Sequence, residues 1–152
     1  MGFAYVSLKN LLKASDIVSL HVPYCKATHH LINKNNIKYI KRGGRLINTS
    51  RGGLIETEAL YEAIKSERLA GAALDVLEDE FETVEKYKNP EKKFSAAKTE
   101  DVWLNKLLIN MDNVIVTPHN AFDSIEALKR ILDTTVDNLK AIAKGRPINK
   151  VN

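Results

Sequence analysis

The chain has 152 residues, of which 44% are hydrophobic and 28% charged, enough for one globular domain with a sizeable apolar core. Its 23 Lys and Arg against 19 Asp and Glu leave a net charge of +4, and the basic residues are scattered apart from pairs such as Lys41-Arg42, which argues against a nucleic-acid footprint. A single cysteine, Cys25, excludes an internal disulfide and a metal site built from cysteines alone. No run approaches the ~18 apolar residues of a membrane span, so a cytoplasmic location is expected.

Leu8, Leu11 and Leu12 follow Ser7, a good N-cap, and predict a first helix. A strand is expected at Ile17 to Leu20, a helix around Ile37 and Ile40 after Asn33, and a second strand at Arg45 to Asn48. Leu60 and Ile64 stand one turn apart after the acidic start Glu56-Thr57-Glu58, which suits a helix N-terminus. Ala70 to Leu74 and Asn113 to Val116 are two further strand candidates. All four are short aliphatic runs of the kind buried on both faces of a parallel sheet. The stretch from Phe81 to Lys106 breaks this rhythm with Lys, Glu and Asn89-Pro90, and reads as an excursion loop leading into one helix that carries Trp103, Leu104, Leu107 and Leu108. A final helix is marked by Ile125, Leu128, Leu132, Val136, Leu139 and Ile142, with Asp123 and Glu126 as a capping box and Gly145 and Pro147 as its stop.

Strands alternating with helices imply βαβ units, right-handed crossovers and an α/β fold. In such a sheet, ligands bind beyond the carboxyl ends of the strands. The polar residues just past each run are His21-Val22-Pro23, then Thr49-Ser50-Arg51-Gly52-Gly53, then Asp75 with Glu78, Asp79 and Glu80, and then Thr117-Pro118-His119. An arginine can hold a carboxylate in a bidentate fork, a histidine can exchange a proton near neutral pH, and a carboxylate beside it fixes its tautomer. That set suits reduction of a keto acid, with the hydride supplied by a cofactor.

Four segments carry a family resemblance: Ser19-Leu20-His21-Val22-Pro23; Gly44 to Gly53; Gly71-Ala72-Ala73-Leu74-Asp75-Val76 with Glu80; and Asn113 to His119. In this order they resemble the signatures of the D-isomer-specific 2-hydroxyacid dehydrogenases, over nearly the whole chain. The resemblance implies a partial Rossmann-like parallel sheet with flanking helices, and NAD as cofactor. Arg51 would bind the substrate carboxylate and 2-oxo group, His119 would exchange the proton, and Glu80 would pair with His119. Asp75 would hydrogen-bond the nicotinamide carboxamide, with Val22, Pro23, Thr28, Thr49 and Ser50 lining the cofactor. The implied reaction interconverts a 2-oxo acid and a D-2-hydroxy acid, and the excursion after Glu80 looks more like the D-lactate dehydrogenase branch than the phosphoglycerate branch.

No G-x-G-x-x-G occurs in these residues. The chain therefore reads, over residues 1–152, as the C-terminal part of an NAD-binding domain, without the first βαβ unit, its glycine-rich turn and the substrate domain. In that reading the strand at Ile17 to Leu20 lacks a neighbour, and weak NAD binding with little activity is expected of the chain alone. A homodimer or a complementary N-terminal half is the expected partner; a non-catalytic module of the same fold and one half of a split dehydrogenase are the alternatives. His29 and His30, being adjacent, are expected to point apart, so no metal site is anticipated. Cys25, without a fixed base or oxyanion donor, is expected to be inert.

Overall fold

The computed structural model describes residues 4–150. The chain divides into two compact units, Met1–His119 and Asn120–Asn152. The first is built on four parallel strands, β1 (Ile17–Leu20), β2 (Gly44–Asn48), β3 (Leu69–Leu74) and β4 (Val114–Val116), which lie side by side in chain order. Each expected strand is present within one residue of its aliphatic run.

Register decides where the chemistry falls. Leu20 pairs with Asn48, Asn48 with Leu74, and Leu74 with Val116, so these four residues form one row at the carboxyl end of the sheet. The residues that follow them, His21, Thr49, Asp75 and Thr117, therefore leave the sheet at the same level.

Helix α1 (Leu8–Ala14) starts on Ser7, whose hydroxyl accepts from the Asn10 amide, and buries Leu12 completely. Helices α2 (Thr57–Lys65), α3 (Glu80–Lys88) and α4 (Ala96–Ile109) follow; α2 packs on β3 and α4, and α4 packs on α3 and β4. Leu12, Ile32, Ile40, Leu54, Leu60, Ile64 and Leu108 form the core with Val18, Leu20, Leu46, Leu74 and Val114 of one sheet face.

Three expectations for the first unit need correction. Within this first unit the strands are covered on one face, since Ile17 is 57% and Ile115 66% exposed, while their strand neighbours Val18 and Val114 are buried. Around Ile37 the chain makes a single 3-10 turn, Ile37–Tyr39, because asparagine side chains compete with a longer helix. The Asn36 amide group donates to the Leu31 carbonyl and accepts from the Asn33 backbone N–H, which closes a local turn.

The excursion after Phe81 holds two helices, not a loop and one helix. Helix α3 has a weak apolar signal, burying only Thr83, but Glu80 and Glu82 in its first turn and Lys86 and Lys88 in its last complement the helix dipole. Asn105 on α4 then ties α3 down, donating to the Thr83 hydroxyl (2.9 Å) and the Glu78 carbonyl (2.7 Å). Asn89-Pro90 separates the two, and Ser95 caps α4.

In the second unit, helix α5 (Ile125–Ala143) begins on Ser124 rather than Asp123: the Ser124 hydroxyl accepts from the Ala127 amide at 3.1 Å. It ends as expected at Gly145, whose φ is +67°, with the Gly145 amide on Ile142 O and the Arg146 amide on Ala141 O. Among the described residues no helix is long and apolar enough to cross a membrane.

Candidate active site

The turn after β2 is held from inside the protein. Asn48, with no exposed surface, donates through its side chain to the Arg51 carbonyl (2.8 Å) and accepts from the Ser50 amide (3.1 Å). Ser50 in turn donates its hydroxyl to the Val22 carbonyl at 2.7 Å, joining this turn to the one after β1. Gly52 follows because nothing larger fits: a Cβ there would lie 2.0 Å from the Leu77 carbonyl carbon and oxygen and 2.4 Å from the Glu78 nitrogen. That backbone-to-backbone approach sets Arg51 beside the segment after β3. The Arg51 side chain is exposed, with one guanidinium N–H on the Ser50 carbonyl at 2.7 Å.

Past β3, Asp75 is buried, and its carboxylate accepts from the Thr117 hydroxyl at 2.5 Å. The adjacent acids then diverge. Glu78 turns to Thr57, whose hydroxyl donates to it at 2.9 Å, and so braces the start of α2. Asp79, in the left-handed conformation, opens α3, and burial raises its carboxyl above the ordinary range, against the pull of Lys98. Glu80 faces β4, where its Oε1 lies 2.7 Å from Nδ1 of His119. His119 also has a left-handed backbone (φ +54°) and is turned back by a bond from its amide to the Thr117 carbonyl. Both partners are about two-fifths exposed, at 41% and 42%, which leaves the imidazole open to a ligand.

Three clefts adjoin along this edge. One, of 550 Å³, is lined by His21, Val22, Pro23, Tyr24, Ser50 and Arg51. A second, of 310 Å³, includes Arg51 together with Gly52, Gly53 and Glu80. The third, of 470 Å³, holds Asp75, Glu80, Thr117, Pro118 and His119 with an apolar wall of Val84, Tyr87 and Ile109. Glu80 belongs to both the Arg51 cleft and the His119 cleft, so it stands between the two other residues of the expected catalytic set.

Of the residues expected to line a cofactor, Val22, Pro23 and Ser50 share the first cleft and Asp75 lies in the third. Thr49 is exposed at the end of β2. Thr28 spends its hydroxyl on its own loop, donating to the Pro23 carbonyl (2.8 Å) and accepting from the Cys25 amide (2.8 Å). That hydroxyl also holds the exposed Cys25 thiol below its ordinary pKa. Sequence reasoning missed Asn48 and Thr117 as supports. The available signals were an Asn directly before a turn and a Thr one residue past a strand.

One expectation about side chains fails. His29 and His30 do not point apart: His30 takes a left-handed backbone (φ +49°), and the two rings stack with centroids 3.8 Å apart.

Comparisons with known proteins bear on the family and the fold. Residues 1–121 match the family model described as D-isomer specific 2-hydroxyacid dehydrogenase, NAD binding domain. A D-lactate dehydrogenase of Curvularia clavata is 42% identical over 146 residues, covering 94% of this chain and 39% of that protein. A D-specific alpha-keto acid dehydrogenase of Enterococcus faecalis is 46% identical over 134 residues, covering 88% of this chain and 39% of that protein. Among solved structures, a D-lactate dehydrogenase from Aquifex aeolicus, complexed with NAD and lactic acid, superposes with a TM-score of 0.79 at 39% identity, covering 98% of this chain and 45% of that one. A D-lactate dehydrogenase from Treponema pallidum gives 0.82 at 33% identity, covering 95% and 42%. The chain thus spans about two-fifths of the length of the curated relatives it matches. With a family model covering most of its residues and a strand-end site built from the same four segments, the chain belongs to the D-isomer-specific 2-hydroxyacid dehydrogenases, in the part that forms their NAD-binding domain.

Proposed function

We propose that residues 1–152 supply the nicotinamide side of an NAD-dependent dehydrogenase that interconverts a 2-oxo acid and a D-2-hydroxy acid, as the C-terminal part of its NAD-binding domain. The observation that carries this reading is the Glu80–His119 pair at 2.7 Å, with Glu80 also lining the cleft that contains Arg51. The pair and the arginine come from three different strand ends, which a purely structural ion pair would not require.

The residues fit a dinucleotide's nicotinamide end. Asp75 is a buried carboxylate, positioned by Thr117, that can accept from a carboxamide N–H; Val22, Pro23, Thr49 and Ser50 offer a mixed apolar and polar wall at the same sheet edge, and Thr28 shapes the loop behind it. NAD, when bound, supplies or accepts the hydride. Arg51 holds the substrate carboxylate in a bidentate fork and draws charge toward the 2-oxo oxygen. His119, with Nδ1 directed at Glu80, delivers a proton from Nε2 to that oxygen during reduction and takes it back during oxidation. Glu80 fixes the tautomer and steadies the charged ring.

D-lactate as the hydroxy acid draws on the names of the relatives and on the segment after Glu80. The test is NADH-dependent pyruvate reduction by the chain alone and by the chain joined to the N-terminal part of the Aquifex aeolicus relative. Negligible turnover alone and restored turnover in the fusion, lost in Arg51→Gln and His119→Gln, is the expected result. Robust turnover by the chain alone would overturn the partial-domain reading, and a fusion that binds NADH but is indifferent to both substitutions would overturn the catalytic roles.

A further inference from the structure

We propose that His29, His30 and Glu78 form a binding site for a borderline-soft divalent cation such as Zn²⁺ or Co²⁺, beside the Arg51 turn. The ligand atoms of these three side chains all lie within 4.8 Å of one another. Around a tetrahedral zinc with ligands at about 2.0–2.1 Å, neighbouring donors stand roughly 3.3 Å apart, so the set closes when the exposed His29 rotates inward and the His30–Glu78 pair, now at 2.7 Å, opens by a fraction of an ångström to admit the ion. Two imidazoles and one carboxylate with open positions is a donor combination that zinc, cobalt and nickel accept and that magnesium, which prefers six oxygens, does not.

The backbone makes this possible. Adjacent residues of a helix or strand diverge, but the left-handed conformation at His30 brings its ring against that of His29, 3.8 Å between centroids and 26° between planes. The far atoms of two donors are already held, as metal ligands require. Tyr24 Oη lies 3.1 Å from Nδ1 of His29, which leaves Nε2 as the ring atom available to a cation. Thr57 engages Oε2 of Glu78, which leaves Oε1 facing Nε2 of His30 at 2.7 Å. Anionic charge gathers around the cluster: Asp101, half-buried, has its carboxyl pushed up to about 6 by burial and then by Glu78, Asp79 and Glu100, with His30 opposing. A cation at the cluster relieves that repulsion.

The position gives the site a consequence. The His30 amide donates to the Gly53 carbonyl at 2.8 Å, and Glu78 lines the same cleft as Arg51 and Glu80. A bound cation would therefore tie the Arg51 turn, the loop after β1 and the start of α3 to one point.

The test is titration of the tag-free chain with Zn²⁺, and with Co²⁺ read through its visible d–d absorption, against Mg²⁺. Saturable one-to-one binding of Zn²⁺ and Co²⁺ but not Mg²⁺ is expected, with at least tenfold weaker affinity in His29→Gln, His30→Asn and Glu78→Gln. Asn tolerates the positive φ of His30, and Gln keeps the contact of Glu78 with Thr57. Independently of any variant, Zn²⁺ should shift the imidazole NMR signals of His29 and His30 and leave those of His21 and His119 in place. Absence of saturable Zn²⁺ binding, or shifts confined to His21 or His119, overturns the proposal.

Discussion

Replacing Asn48 by alanine tests whether the Arg51 turn is held from the core. The side chain has no exposed surface, and its loss leaves the Ser50 N–H and the Arg51 carbonyl without their partners, which lie at 3.1 and 2.8 Å. An unpaired buried polar group costs about 1–3 kcal/mol. Ser50 is half-buried and Arg51 exposed, so water can reach both and the lower part of that range applies to each. The space left by the carboxamide adds to the total, giving about 2–4 kcal/mol. With a urea slope of about 2 kcal/mol/M, the unfolding midpoint should fall by roughly 1–2 M. Circular dichroism during urea unfolding measures it, with Thr49→Ala as an exposed control expected within about 0.5 kcal/mol of the parent. A loss below about 0.5 kcal/mol in Asn48→Ala would refute the claim that this asparagine organises the turn.

Gly52→Ala should cost about 3 kcal/mol or more, because its Cβ would meet the Leu77 backbone at 2.0 Å and no side-chain rotation can relieve it; the same unfolding curve reads the effect, and a loss below about 1 kcal/mol would mean the turn yields. Asp101 has a folded-state pKa of about 6, above its ordinary 3.8, so the folded chain binds more protons than the unfolded one between those values. Its contribution is therefore lost as pH rises from about 4 to about 6, and Asp101→Asn should flatten that limb and gain on the order of 1 kcal/mol at neutral pH after discounting for solvent screening; unchanged pH dependence of urea midpoints would count against it. In the fusion with the Aquifex aeolicus segment, Glu80→Gln should lower kcat about 10²–10⁴-fold with NADH affinity kept, as expected when a proton-transfer residue loses its charged partner. A parallel loss of NADH binding would point to a structural role instead.

The strands were legible because each is a run of aliphatic residues whose ends are marked by polar turn chemistry. Which face of the sheet is covered was not, since Ile17 and Ile115 are as apolar as Val18 and Val114, and only the packing distinguishes them. Helix α3 escaped notice for a related reason: it buries Thr83 alone and rests on end charges and on Asn105, which is distant in sequence. At the site, strand-end position pointed to Arg51, Asp75 and His119, but composition could not choose among Glu78, Asp79 and Glu80. The left-handed residue Asp79 separates them, sending Glu78 to Thr57 and His30 and Glu80 to His119. The stacking of His29 on His30 likewise depends on one backbone dihedral, which residue type hints at only weakly.

The central claim, that the carboxyl edge of this sheet holds the nicotinamide end of NAD, is tested most directly by titrating the ¹⁵N-labelled chain with NADH and following its backbone amide resonances. Saturable shifts confined to residues 21–24, 48–53, 75–80 and 117–119 are expected, with a dissociation constant on the order of 0.1–1 mM, about −4 to −5.5 kcal/mol, because residues 1–152 hold no glycine-rich phosphate turn. Shifts centred on the uncovered sheet face, at residues 70–73 and 113–115, or no shifts at several times that concentration, would contradict it.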